Sequence, residues 1–136
     1  MATNTAGTQA RRLHTQQEAF ITAQIAYNTT GVATGVEIGT LPAGAIITRW
    51  IAHITTAFNA GTTNVLEVGM NASTYNDIAP TATVLAGTLG AKSGDPAVST
   101  ARGRLAADTP VRAIYTQSGT PASAGSAEVA VFYIIP

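Results

Sequence analysis

The 136-residue chain contains no cysteine. Disulfides and thiolate metal sites are therefore excluded, while the compartment stays open. Charge is also scarce: charged residues make up 10% of the chain, against about 25% in ordinary soluble domains. Seven basic and seven acidic side chains cancel to a net charge of zero. No run or face of Lys and Arg exists to hold nucleic acid by counterion release. No segment approaches the ~20 apolar residues of a membrane-spanning helix. The opening Met-Ala-Thr-Asn-Thr-Ala-Gly also lacks the basic-then-apolar order of a signal peptide. What is abundant is small and apolar. Hydrophobic residues reach 46%, too many for a disordered acidic chain, and a domain of this length buries roughly 68% of its unfolded surface. One domain with a real core is expected. A neutral surface of Thr, Ala, Gly and Ser lacks mutual repulsion, which favours packing against neighbours over life as a free monomer.

Residues 1–18 form a polar lead-in around Leu13, with Arg11, Arg12, His14, Gln16, Gln17 and Glu18. Strand texture begins at Ala19. Ile21, Ala23, Ile25 and Tyr27 alternate with Thr22 and Gln24, the period of a half-buried strand. Asn28-Thr29-Thr30-Gly31 breaks that run. Val36 and Ile38 mark a short second strand ahead of a turn at Leu41-Pro42-Ala43-Gly44. Ala45 to Phe58 is the strongest strand, with Ile46, Trp50 and Ile54 expected on one face and Ile47, Arg49, Ile51 and His53 on the other. Apolar residues on both faces imply a central or covered strand. Asn59 to Asn64 has hairpin-loop chemistry leading into Val65–Met70. Residues 71–110 are rich in Ala, Thr and Gly; Ala82–Leu89 and Val98–Ala107 suit either strands or short helical turns. Val111–Thr116 and Glu128–Ile135 flank a Gly/Ser/Ala-rich stretch, which predicts a C-terminal hairpin with a long flexible tip. Many short strands between Gly, Pro and Asn turns point to an all-β sandwich or barrel.

Chemistry is sparse. His14 and His53 lie in unrelated contexts, and His53 is expected to be a partly buried strand residue. Without cysteine or a His pair at i, i+4, no zinc site is expected. Ala86-Gly87-Thr88-Leu89-Gly90-Ala91-Lys92-Ser93 superficially resembles a phosphate loop, but Ala86 and Ala91 stand where glycine is required, so it is taken as a surface loop. Asp77, Asp95 and Asp108 belong to no calcium-loop pattern and suit turn capping better. Glu18, Glu37, Glu67 and Glu128 are scattered, and the sequons at Asn28 and Asn71 matter only on a secretory route. Trp50 is expected in the core. The tight basic groups are Arg11-Arg12 and Arg102 with Arg104. Such pairs can fork onto carboxylates of a protein partner, or remain solvated charge.

Two stretches carry a family pattern. Ile38-Gly39-Thr40-Leu41-Pro42-Ala43-Gly44-Ala45-Ile46-Ile47-Thr48, with Thr55 through Gly69, resembles small structural proteins of tailed bacteriophages. The closing Gly119-Thr120-Pro121-Ala122-Ser123-Ala124-Gly125-Ser126 through Tyr133 is similar to their C-terminal hairpin. The resemblance implies a virion β-sandwich, most closely a capsid decoration (cement) protein that sits on the major capsid shell, assembled in the bacterial host cytoplasm. A tail, neck or fibre component is the alternative, and a carbohydrate-binding module a second. The low aromatic content of 6% weakens the last.

The expectation is therefore a single jelly-roll-like β-sandwich over residues 19–136 with an N-terminal arm at 1–18. The partners expected are the major capsid protein and copies of itself, a homotrimer ahead of a dimer, with no nucleic acid, membrane, cofactor, metal or catalytic residue. Arg11, Arg12 and Leu13 are the contact candidates: the arm has too little apolar surface to fold alone and suits ordering on a partner.

Overall fold

The computed structural model describes residues 17–80, 84–97 and 99–136. Seven strands follow in order: β1 (Ala19–Ala26), β2 (Val36–Leu41), β3 (Ile46–Thr56), β4 (Thr63–Gly69), β5 (Gly90–Gly94), β6 (Thr109–Ser118) and β7 (Ser126–Ile134). One helical turn, α1 (Ser99–Arg102), lies between β5 and β6. The strands form a four-stranded sheet ordered β1-β7-β3-β5 and a three-stranded sheet ordered β2-β6-β4. All pairings are antiparallel. Each connection crosses from one sheet to the other, which is jelly-roll connectivity. An eighth position is marked beside β4, where Ala79 bridges Val68 and Leu85 bridges Val65.

This connectivity corrects two local expectations. β3 and β4 are not a hairpin, because β3 belongs to the larger sheet and β4 to the smaller. β6 and β7 are likewise separated, so the C-terminal pair is a crossover between layers. The segment taken as a surface loop at 86–93 is also partly strand: β5 begins at Gly90 and pairs with β3.

The core fills the space between the two sheets. Alternation places Ile25 of β1 and Ala127, Val129 and Val131 of β7 on the inner face of the larger sheet. Leu66 and Val68 of β4 face them with Val111, Ala113 and Tyr115 of β6. On β3 the expected faces are wrong at one end. A register shift between Ile47 and Arg49 inserts an extra residue, so Ile47 is buried with Trp50, Ala52 and Ile54, while Arg49 and His53 face out. A bulge changes which parity points inward, and simple alternation cannot anticipate it. Trp50 is 1% exposed, as expected of the core, and its Nε1–H donates to the Asp95 carbonyl at 3.1 Å.

The corners are held by specific contacts. The Asn59 Oδ1 accepts from the backbone N–H of Ser123 at 2.8 Å and of Ala124 at 2.9 Å, and its Nδ2 donates to Ser123 Oγ at 3.0 Å. Gln117 Oε1 accepts from Ala122 N–H at 2.8 Å. The stretch 119–125, expected to be flexible, is thus pinned to the β3–β4 corner. Gly125 (φ 146°) packs against the Phe58 ring so closely that a Cβ would lie 2.5 Å from it. Phe58 in turn tilts against Tyr115, with centroids 4.6 Å apart.

Truncating Trp50→Ala should destabilise the domain by about 3–5 kcal/mol, the usual cost of a large aromatic cavity, measured by denaturant unfolding. Asn59→Ala should leave the fold intact while hydrogen exchange of the Ser123 and Ala124 amides accelerates, because both lose their acceptor.

Candidate interaction surfaces

The residues that carry ionisable or metal-binding chemistry are dispersed by the fold. No group of three or more His, Asp or Glu side chains suited to a metal occurs among the described residues. Asp77, 6% exposed, accepts from Met70 N–H at 2.7 Å, and Asp108 accepts from Ala43 N–H at 2.8 Å. Asp77 closes its own 70–77 segment, as its position implied, whereas Asp108 reaches across to a turn 65 residues away and Asp95 is engaged through its main-chain carbonyl. Glu37 approaches Arg112 at 4.0 Å on the smaller sheet, whereas Glu128 approaches His53 at 3.9 Å on the larger. These two carboxylates therefore do not form a working pair. His53 stands on the outer face with its side chain half exposed, in regular alternation with the buried Ala52 and Ile54. Arg102 Nε donates to the Pro96 carbonyl at 2.7 Å, and Arg104 reaches the Pro136 carbonyl at 3.4 Å. That basic group ties down chain segments. His14, Arg11, Arg12 and Leu13 lie outside the described residues.

A shallow depression of about 260 Å³ is lined by Tyr27, Val32, Ala33, Tyr115, Thr116 and Gln117. It falls below the usual range for a small-molecule site. Burial raises the pKa of the Tyr115 hydroxyl, which donates to Asn64 Oδ1 at 2.6 Å. That group serves the core.

More distinctive is the outer face of the larger sheet, where the register aligns Phe20, Phe132 and Arg49 in one row. Phe20 is 59% exposed, and its ring lies 5.6 Å from that of Phe132 at an interplanar angle of 41°. The Arg49 guanidinium caps Phe132 at 3.8 Å from the ring centroid, a cation–π geometry. Two tilted rings, one already covered, do not make the flat platform that would stack sugars. Glu18 completes the row. Its carboxylate accepts from Thr48 Oγ1 and from Arg49 at 3.3 Å. The last residue assigned to the arm is therefore fastened to β3. No sequence pattern singled out Phe20, Phe132 or Arg49 as a cluster, because only the strand register unites positions more than eighty residues apart.

The hydrogen bond from Thr48 holds the Glu18 carboxyl below its ordinary pKa, aided by Arg49 and opposed by desolvation. A depressed folded-state pKa means that the interaction is present above the unfolded value and is lost as pH falls through the folded one. An NMR titration should find Glu18 protonating below an ordinary glutamate, and Thr48→Ala should move its midpoint upward.

No protein-family model matches the sequence, and no curated protein does so. Solved structures do match. A chain of the cyanophage Pam1 capsid asymmetric unit is similar with a TM-score of 0.66 and 24% identity, over 88% of this chain and 85% of that one. A chain of the acid-stable capsid of Helicobacter pylori bacteriophage KHP30 gives a TM-score of 0.60 and 15% identity, over 88% of each chain. A chain of the Ralstonia phage GP4 capsid gives 0.58 and 14%, over 87% of this chain and 85% of that one. The jelly-roll sandwich of this chain is thus a fold shared, along nearly its whole described length, with chains of phage capsid structures.

Proposed function

We propose that the protein is a non-enzymatic structural component of a bacteriophage virion, a decoration (cement) protein that binds the major capsid protein on the assembled shell. The observation that carries this reading is the agreement of fold with chains from three phage capsids over 87–88% of the sequence. The chemistry is consistent with it. The described side chains form pinned corners and a packed core, and the surface is nearly free of net charge. A ligand that binds only the assembled shell stabilises that state by mass action. Many weak contacts repeated over a symmetric lattice act together, so each copy needs little affinity of its own.

The unit on the shell is a homo-oligomer, a trimer ahead of a dimer, since closed cyclic assemblies match the symmetric sites of a capsid. The arm extends from the start of β1 along the shell or a neighbouring subunit. Arg11 and Arg12 pair there with carboxylates, and Leu13 supplies apolar contact. Glu18 is fastened to β3, so a truncation designed to keep that contact removes residues 1–16.

The test is to add purified protein to shells stripped of it. Bound copies should raise the temperature at which the shells rupture. Removing residues 1–16 should leave the sandwich folded, by circular dichroism, while weakening attachment. Protein that ignores shells but incorporates into isolated tails would replace the proposal with a tail or fibre role. Unchanged attachment after truncation would refute the role of the arm.

A further inference from the structure

The two sheets present four edges, β1 and β5 on the larger and β2 and β4 on the smaller. Exposed edges invite pairing unless they are short, bulged, charged or covered. β4 is covered by the chain at Ala79 and Leu85. β2 carries a register shift between Glu37 and Gly39 and the charge of Glu37. β5 is five residues long, bounded by glycines, and bears Lys92. Among the described residues β1 has none of these devices: Ala-Phe-Ile-Thr-Ala-Gln-Ile-Ala pairs in unbroken register with β7 on one side.

The phase of its hydrogen bonds is fixed by the residue that follows it. Tyr27 N–H donates to the Gly125 carbonyl at 3.0 Å, one step beyond the Ala26–Ser126 pair. Antiparallel ladders alternate bonded and non-bonded pairs. Odd-numbered residues of β1 therefore bond to β7, and Phe20, Thr22, Gln24 and Ala26 direct their N–H and C=O groups outward. Ala26 is already closed locally: its N–H donates to Thr29 Oγ1 at 2.8 Å, and its carbonyl accepts from Thr29 N–H at 3.1 Å. The outward backbone groups of Phe20, Thr22 and Gln24 have no partner among the described residues.

We propose that this edge pairs with β1 of a second copy of the chain, antiparallel, about a twofold axis at Thr22. Opposed residues in such a pair share a face, so the axis passes midway between the two copies of one residue. Centring on Ala23 would require the groups of Ala26, which Thr29 occupies. Centring on Thr22 sets it against Thr22 of the partner subunit and Phe20 against Gln24 of the partner subunit, using all three outward residues. The strand is uncharged, so self-pairing opposes no like charges, and facing threonines are a favourable cross-strand pair. Phe20 gains cover that its own sheet does not provide. The larger sheets of two copies would then run on as one. This inference deepens the self-association part of the proposed function and is independent of attachment to a shell: the twofold contact joins copies in pairs, whichever contact closes a ring.

The absence of native cysteine makes the test direct. Opposed Cα atoms in an antiparallel pair lie about 4.5–5.5 Å apart, within the reach of a disulfide. Under mild oxidation the full chain carrying Thr22→Cys should form a covalent dimer about a hundredfold faster than one carrying Ala91→Cys on the opposite edge, as for a held pair at millimolar effective concentration. In parallel, the unmodified protein should sediment as an even-numbered assembly and Thr22→Lys at half that mass, since the substitution opposes two ammonium groups. Equal cross-linking of the two cysteine variants, together with a mass unaltered by Thr22→Lys, would overturn the proposal. That outcome would also be expected if the edge were occupied by residues 1–16, and it would leave shell binding untouched.

Discussion

Every strand hands the chain to the opposite sheet, and the rest of the structure follows from that constraint. Antiparallel partners are consequently distant in sequence: β1 pairs Ala19 with Tyr133, and β3 pairs Ile46 with Ile134. No tight turn fixes a register locally. Register is fixed instead by the buried faces, since a one-residue slip would turn a strand's apolar set outward. The corners then have to be rigid enough to deliver each strand to its layer. Asn59 clamps two crossovers to each other, and Asp77 caps the exit of β4. Gly69 at that exit admits no side chain, because a Cβ would lie 2.4 Å from the Asp77 carboxylate. Such non-local pairing carries a large loop-closure cost before contacts form.

The same constraint shapes the surface. With polar groups spent on corners and few charges available, the outer faces are neutral apart from short-range pairs such as Glu18–Arg49 and Glu37–Arg112. Phe20, exposed as Leu85 and Leu89 also are, and the uncharged edge of β1 stand out against that background. A charge-poor module whose β1 edge is unguarded among the described residues is well suited to a crowded, ordered array and poorly suited to dilute solution.

The sequence disclosed some of this. The alternation of Ile21, Ala23 and Ile25, the central place of β3, the burial of Trp50 and the capping role of Asp77 were legible, because each depends on local periodicity or turn chemistry, whereas the bond from Ala43 to Asp108 spans 65 residues and was not. The hairpins inferred at Asn59–Asn64 and before Glu128 were wrong. Turn composition marks where a chain bends without saying into which layer it goes. The faces of β3 were misassigned at Ile46 and Ile47, since a bulge leaves no compositional trace. The Phe20–Phe132–Arg49 row depends on pairing across the whole chain. Arg11, Arg12 and Leu13, chosen as contacts, lie outside the described residues.

The proposed capsid role draws these features together: a sandwich fold shared with chains of three phage capsids, pinned corners, a neutral surface and no clustered chemistry among the described residues. The most direct measurement is a cryo-electron microscopy map of the virion that contains this chain. The account predicts density for this jelly roll on the outer surface of the shell, in symmetric clusters that bridge neighbouring capsid subunits. Density confined to the tail, neck or fibres, or a shell with no copy of the sandwich bound to it, would contradict it.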